Sequence, residues 1–114
     1  MPDDSLDVLQ GTLELLILQT LAGDREMHGF AILDWIRETT GEELVIEEGA
    51  LYPALHRMER RGWLTADWGI SDKGRRAKYY RLTASGREAL AREGRRWDRY
   101  VEAVARLAGR VTGG

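Results

Sequence analysis

A chain of 114 residues with 43% hydrophobic and 32% charged residues predicts one compact domain, with no room for a second independent domain. The absence of cysteine excludes a disulfide framework, a thiolate metal site and a cysteine nucleophile. The net charge of -2 conceals an asymmetry, because residues 1–50 hold 2 basic and 12 acidic side chains whereas residues 51–114 hold 15 basic and 7 acidic ones. A local basic patch, rather than a basic total, is what nucleic-acid binding requires.

The N-terminal part of the chain predicts a cytoplasmic protein that does not enter a membrane. Its first charged side chains, Asp3, Asp4 and Asp7, are acidic, whereas an export signal needs a positive start. The longest apolar stretch, residues 13–21, is interrupted by polar residues and is far shorter than the roughly 20 residues of a membrane span.

Two helices and a short extended piece are predicted in the first half of the chain. The first helix, over residues 9–22, is apolar on nearly all sides, so it must be covered either by a second subunit or by the last helix of its own chain. The second helix begins near His28 and ends at residues 40–41. A short extended piece follows at residues 44–46.

The third predicted helix, over residues 48–61, has an outward face suited to the major groove of DNA. A step of about 100° per residue places its apolar stripe on one side and small, polar and cationic residues on the other side and its flank. Its N-terminus also favours a phosphate through the helix dipole. The candidate DNA-binding residues of this helix are Gly49, Tyr52, Pro53, His56, Arg57 and Arg60.

Two β-forming runs, residues 63–70 and 75–82, predict a hairpin because four turn-forming residues, 71–74, join them. This hairpin carries a second basic cluster at and just after its turn. As a wing beside the third helix, it would bring both clusters onto one surface. The candidate DNA-binding residues of the wing are Lys73, Arg75, Arg76 and Lys78.

A capping segment at residues 83–86 starts a long last helix, predicted to run to about Gly109 and to leave a loose tail from Val111. Its apolar and small residues recur at alternating steps of four and three, which is typical of a helix-pairing seam. The candidate dimer-interface residues of the first and last helices are Leu13, Leu16, Ile17, Leu90, Trp97, Val101, Val104 and Ala108.

The order of elements predicts a mainly α protein with a small β-hairpin, an α+β winged helix-turn-helix with a long C-terminal dimerisation helix. Residues 1–82 would form the DNA-binding part and residues 83–110 the dimerisation helix, within a single structural domain. Three tryptophans, Trp35, Trp63 and Trp68, are interpreted as core or wing-packing residues.

Neither catalysis nor metal binding is predicted. His28 and His56 are the only histidines; the first is expected to start its helix and the second to face DNA. Adjacent carboxylates such as Glu42 and Glu43 lie in an acidic surface stretch instead of facing each other. With no nucleophile elbow and no phosphate-binding glycine loop, the chain is predicted to be a non-enzyme without a cofactor.

Four segments of the chain resemble the PadR family: residues 11–18 (GTLELLIL), 28–30 (HGF), 48–59 (EGALYPALHRME) and 74–83 (GRRAKYYRLT). The resemblance covers nearly the whole chain. It implies a dimeric winged-helix regulator, usually a repressor, whose third helix enters the major groove while the wing tracks the adjacent backbone or minor groove. It also implies that the last helix pairs with the first helix of the partner subunit. The early end of the chain resembles the short subfamily.

Within that resemblance, Trp97 has two interpretations. In some relatives a matching Trp pair stacks against flat aromatic effectors, which makes Trp97 a candidate effector contact; plain dimer packing is the alternative. The predicted function is a regulator that binds an operator in double-stranded DNA as a homodimer and is released by a small hydrophobic or aromatic effector. A winged-helix module that binds an acidic protein, and a small-molecule carrier without regulation, are the alternatives.

Overall fold

The computed structural model describes residues 11–113, and the side chains of residues 11–109. Four helices and a three-stranded sheet confirm the predicted mainly α architecture with a β-hairpin. In chain order the elements are α1 (Leu13–Thr20), β1 (Met27–His28), α2 (Gly29–Thr39), α3 (Glu48–Arg60), β2 (Leu64–Ile70), β3 (Arg76–Leu82) and α4 (Ala84–Gly113).

Side-chain caps define where two of the helices begin. The His28 Nδ1 atom accepts a hydrogen bond of 3.1 Å from the backbone N–H of Ala31, so His28 starts α2 as the sequence predicted. At the start of α4, the Thr83 hydroxyl accepts a hydrogen bond of 3.0 Å from the backbone N–H of Gly86. Each cap satisfies an N–H group that has no partner inside its helix.

The antiparallel sheet has the strand order β1-β3-β2. The β2–β3 hairpin, hereafter the wing, pairs from Leu64 opposite Leu82 to Ile70 opposite Arg76, while β1 adds Met27 opposite Tyr80. The extended piece predicted at residues 44–46 is not the third strand of this sheet, which is β1, although Leu44 forms an isolated β-bridge. Ile46 of this piece is buried in the core and Leu44 packs against it, whereas Val45 is exposed.

The core lies between α1, α2, α3, the base of the wing and the first turns of α4. Of the two predicted covers for the first helix, α4 of the same chain packs against α1. Ile17 is 0% exposed and belongs to the core of the single chain, which corrects its prediction as a dimer-interface residue. The predicted first helix began at residue 9, but residues 9 and 10 lie outside the described part of the chain.

The last helix is longer than predicted. It continues four residues beyond Gly109 and ends at Gly113. The predicted loose tail from Val111 is therefore wrong for residues 111–113, which are helical, and Gly114 lies outside the described residues. Ala89, in the second turn of α4, is fully buried, whereas every described side chain from residue 98 to residue 109 is exposed. The first part of α4 therefore belongs to the core and the remainder projects from it.

Two of the three tryptophans interpreted as packing residues lie on the surface. Trp35 of α2 is 39% exposed and lies beneath the guanidinium of Arg25, and Trp68 of β2 is 61% exposed beneath that of Arg76. Trp63 is half-buried against the core, as predicted. Neither of these two indoles belongs to the core or to the side chains packed against it.

Gly86 is predicted to be essential for the packing of α4 on the wing. A Cβ atom at this position would overlap the carbonyl oxygen of Trp63, a backbone atom that cannot rotate away. We expect Gly86→Ala to lower the free energy of unfolding by about 2–4 kcal/mol, measured by urea denaturation. The matched control is Gly109→Ala, because no atom lies within 4 Å of its added methyl group. That change should leave stability unchanged or raise it by up to about 1 kcal/mol, and equal losses in the two variants would contradict the packing argument.

Candidate nucleic-acid interface

The outward side of α3 carries all six residues that the sequence assigned to DNA contact. Each of them is exposed, whereas Leu51, Ala54, Leu55 and Met58 on the opposite side are fully buried. The helix is thus held by its apolar stripe, and its polar side is left open. The exposed set consists of Gly49, Tyr52, Pro53, His56, Arg57 and Arg60.

A hydrogen-bonded ion pair joins the wing to the last turn of α3. The Lys78 Nζ atom of β3 donates to the Glu59 carboxylate over 2.9 Å, and both side chains are about two-thirds buried. The hydrogen bond from Lys78 to Glu59 is the main reason why the pKa of Lys78 is raised. Lys78 therefore anchors the wing beside α3. Its assignment to DNA contact assumed a free cation, whereas its ammonium group is paired with Glu59.

The sheet register places Arg76 on the same side as α3. Lys78 lies opposite Trp68, and two residues further out Arg76 lies opposite Ile70, so alternation puts all four side chains on one sheet face. Because Lys78 on that face reaches Glu59, the face is the one turned toward α3. The outer part of this sheet face therefore adjoins α3, and its residues and those of the wing turn, together with the exposed residues of α3, are hereafter called the basic surface.

The turn of the wing presents its cations at an exposed tip. The Gly74 N–H donates to the Ser71 carbonyl over 2.8 Å, and the Ser71 N–H donates to the Arg75 carbonyl over 2.7 Å. Gly74 adopts a φ of +75°, which a side chain would disfavour. Lys73, Arg75 and Arg76 on either side of it are all exposed.

Ion pairs to distant segments divide the cations of this region into two groups. Arg57 and Arg61 both bind Glu14 of α1, at 3.5 Å and 2.6 Å. Arg81 lies between Glu26 and Asp67, at 3.3 Å and 3.5 Å. Among the described residues, no carboxylate pairs with the side chains of four exposed cations: Arg60, Lys73, Arg75 and Arg76.

The acidic partners were not identified from the sequence, because Glu14 and Glu26 precede the arginines they bind by 47 and 55 residues. No local spacing signals such a contact. Only the tertiary packing of α1 and β1 brings these carboxylates to the edge of the basic surface.

Tyr52 connects the first turns of α3 to the start of α2. Its ring covers Gly29 so closely that a Cβ atom at that glycine would lie 2.6 Å from a ring carbon. Partial burial, with the Glu48 carboxylate as a second cause, raises the pKa of the Tyr52 hydroxyl. The hydroxyl is therefore protonated at neutral pH and can donate a hydrogen bond, as contact with a phosphate would require.

A groove of about 520 Å³ lies between α1 and α4. Trp97, the candidate effector contact, lines it together with Glu14 and Tyr100, and the Trp97 and Tyr100 rings stack with centroids 6.0 Å apart. Glu14 is thus shared between this groove and the arginines of α3.

The predicted dimer residues fall into two groups. The first group lies against the chain's own core or its groove: Ile17 is buried, and Leu13, Leu16, Leu90 and Trp97 are half-buried. The second group, Val101, Val104 and Ala108, is exposed on α4. The sequence prediction missed two large exposed residues there, Tyr100 and Leu107. Residues 97, 100, 104 and 107 are spaced in steps of three, four and three. This spacing fits a helix-pairing seam no less well than the spacing of the predicted seam, so it would have indicated Tyr100 and Leu107.

Residues 11–113 contain neither a cluster of His, Asp and Glu side chains that could hold a metal ion nor a helix with the length and hydropathy needed to span a bilayer.

Comparison with known proteins identifies relatives over most of the chain. Residues 17–92 match the model of the transcriptional regulator PadR-like family. A transcriptional regulator of Mycobacterium tuberculosis is 36% identical over 94 residues, which cover 82% of this chain and 77% of that protein.

Solved structures show the same winged-helix fold. A transcriptional regulator from Clostridium thermocellum superposes with a TM-score of 0.77 at 29% identity, over 85% of this chain and 93% of that one. A PadR family transcription regulator from Clostridium difficile superposes with a TM-score of 0.73 at 28% identity, over 87% of this chain and 100% of that one.

The Lys78–Glu59 pair should stabilise the protein in a pH-dependent way. We expect Glu59→Gln to lower the free energy of unfolding by about 1 kcal/mol near neutral pH. Because the pair raises the pKa of Lys78, its contribution should be complete below the ordinary lysine value of 10.5 and be lost as the pH rises through the higher folded value. Urea denaturation of both proteins over a pH series measures this difference.

The control is Asp34→Asn, which removes the exposed contact of Asp34 with Arg37 and should change stability by less than about 0.5 kcal/mol. A Glu59→Gln difference that stayed constant through the alkaline range would show that the ion pair is not its source.

Proposed function

Because the chain belongs to the PadR-like family of transcriptional regulators, we propose that it is a repressor that binds an inverted-repeat operator in double-stranded DNA as a homodimer. The observation that carries this proposal is the basic surface, on which four exposed cations have no carboxylate partner among the described residues: Arg60 of α3, and Lys73, Arg75 and Arg76 of the wing. A non-enzymatic role agrees with the family, whose members are transcriptional regulators.

In the proposed complex α3 lies in the major groove. Gly49 and Pro53 are small residues near the helix N-terminus and permit close approach of the backbone, and the N-terminal dipole favours a nearby phosphate. Arg60, in the last turn, is free to form the two-hydrogen-bond contact that arginine makes with guanine. His56 lies between them on the exposed side. This arrangement gives α3 the base-reading role.

Arg57 would contribute less than its position suggests, because its guanidinium already interacts with Glu14. To bind a phosphate it must share or leave that carboxylate, and the loss of one favourable contact offsets the gain of another. The wing differs, since Lys73, Arg75 and Arg76 have no such competing contact within the described chain. We therefore assign the larger phosphate-binding role to the wing.

The proposed dimer uses the projecting part of α4. Tyr100, Val101, Val104 and Leu107 are large apolar residues left in water by the single chain, and pairing with a second α4 would cover them. A two-fold axis there would give two basic surfaces and hence two half-sites related by an inverted repeat. An aromatic effector in the groove beside Trp97 would change the separation of the two surfaces and release the operator. Such a regulator acts in the cytoplasm.

Selection of bound sequences from random duplex DNA tests the proposed function directly. We expect the purified protein to recover an inverted repeat whose half-sites lie about one helical turn apart, centre to centre. The symmetry follows from the two-fold dimer and the spacing from the two α3 helices. Two results together would identify a protein-binding module instead: the selection recovers no common sequence, and an acidic protein binds the basic surface whereas duplex DNA does not compete for it.

The salt dependence of duplex binding should separate paired from unpaired cations. Each phosphate contact removed lowers the magnitude of the slope of log K against log salt by about 0.9. We therefore expect the double variant Arg75→Ala, Arg76→Ala to lower this magnitude by nearly two units. The matched control is Arg81→Ala, which lies on the same strand but is held by Glu26 and Asp67 and should leave the slope within about half a unit. Fluorescence anisotropy titrations at several salt concentrations give these slopes, and an equal effect of all three arginines would contradict the division.

A further inference from the structure

We propose that the outer wing face, formed by Trp68, Ile70 and Arg76, packs against the deoxyribose edges of the DNA minor groove next to each half-site. This inference rests on the proposed function and adds to it an apolar contact that none of the basic residues supplies. It gives the exposed tryptophan of the wing a role in binding.

The exposure of this face is unusual for its residue types. Trp68 is 61% exposed and Ile70 is 66% exposed, although both lie in a regular strand and either could have been replaced by a polar residue without loss to the core. Adjoining large apolar side chains left in water indicate a binding surface. Neither residue belongs to the core or to the side chains packed against it.

The two faces of the wing differ in chemistry. On the face turned toward α3, the base is filled by the buried residues Leu64, Tyr80 and Leu82, and α3 closes the middle through the Lys78–Glu59 pair. Only the outer end of that face, with Trp68 opposite Lys78 and Ile70 opposite Arg76, remains uncovered.

The opposite face is already occupied by contacts within the chain. The Tyr79 ring lies against Gly69, where an added Cβ atom would be 3.1 Å from the ring. Arg81 is held there between Glu26 and Asp67. Because those carboxylates would repel a phosphate backbone, the outer wing face is the side of the wing suited to DNA.

Charge complementarity identifies nucleic acid as the occupant. The Arg76 guanidinium carbon lies 4.6 Å from the centroid of the Trp68 ring, so cation and indole form a cation–π contact. Lys73 and Arg75 at the adjoining turn have no carboxylate partner among the described side chains. The rim of the minor groove alternates anionic phosphates with apolar sugar C–H edges, which matches this alternation of cations and apolar groups.

The location also favours the minor groove. With α3 in the major groove, a wing fixed beside the last turn of α3 by Lys78 extends toward the next groove along the duplex. Arginine is attracted by the negative potential of a narrow minor groove, and apolar side chains are a recurring means of minor-groove contact.

An apolar contact and a cationic contact have different signatures in a salt titration. Contact of an indole with sugar carbons releases no counterions, so its loss weakens binding equally at every salt concentration and leaves the slope unchanged. Loss of Arg75 or Arg76 changes the slope itself. The titration therefore distinguishes a direct role of Trp68 from a role as mere support for Arg76.

The experiment uses the full chain and the inverted-repeat duplex recovered by selection, or a mixed-sequence duplex of about three helical turns if none is recovered. We expect Trp68→Ala to weaken binding by about ten-fold and Ile70→Thr by about three-fold, both with the wild-type slope. The matched control is Trp35→Ala, because Trp35 is also exposed beneath an arginine, Arg25 at 3.9 Å, but lies on α2 outside the outer wing face. It should bind within about two-fold of wild type.

Footprinting locates the contact. In Trp68→Ala, protection of the sugars from hydroxyl radicals beside each half-site should be lost, while protection of guanine N7 in the major groove is kept. Urea denaturation checks that each variant is folded. If Trp68→Ala does not fold, Ile70→Thr, which retains a β-branched side chain, decides the question alone.

Three results would overturn the inference while the proposed function stands: wild-type affinity in both wing variants, a Trp68→Ala slope as low as that of the arginine variants, or a change of oligomeric state in Trp68→Ala that assigns the face to a second copy of the chain. Failure of the wild-type protein to bind either duplex would instead remove the proposed function, and the inference with it.

Discussion

The burial of one side of α3 is the constraint from which the geometry of the basic surface follows. Leu51, Ala54, Leu55 and Met58 are in the core without any exposed area, so the helix cannot rotate about its axis without exposing several of them. The three large side chains, Leu51, Leu55 and Met58, each contribute on the order of 2 kcal/mol by their burial. The outward direction of Arg60 is therefore set by residues that never meet a ligand.

A second constraint fixes the wing relative to α3. A two-stranded hairpin is only marginally stable by itself and can bend where it leaves the core. Here β1 adds a third strand at the base, and the Lys78–Glu59 pair adds a link halfway along. The outer end of the wing begins at Trp68, opposite Lys78, and runs through the turn to Arg76; it is the part that extends past this link. This division between a fixed base and an open end explains why one wing cation serves the fold while its neighbours remain available.

The sequence was sufficient for features that depend on local periodicity and failed for those that depend on distant contacts. The phase of α3, the hairpin and the caps at His28 and Thr83 all follow from residues within one or two turns of each other, and all were predicted. Strand β1 has only two residues, too few for an alternation to be visible. The packing of α4 against α1 joins the two ends of the chain, which no local pattern reveals.

For the basic surface the same distinction holds among individual cations. Local spacing found which residues of α3 are exposed but could not separate Arg60 from Arg57, because the difference is a carboxylate on α1. Nor could it show that Trp68 is exposed, since an alternating strand pattern is the same for a covered face and an open one. Both distinctions appear only when segments far apart in the chain are packed together.

Glu14 and α4 together connect the groove to the basic surface. The Glu14 carboxylate lines the groove and also binds Arg57 and Arg61, so a molecule that engages this carboxylate competes with two arginines of the α3 region. The first turns of α4 share the core with α3 through Ala89, and α4 follows β3 after the single residue Thr83. In the proposed dimer, a rotation of one α4 against the other therefore carries α3 and the wing with it as a unit. Because an inverted repeat fixes the distance between two recognition helices, even a small rotation at the helix pair would act directly on operator affinity.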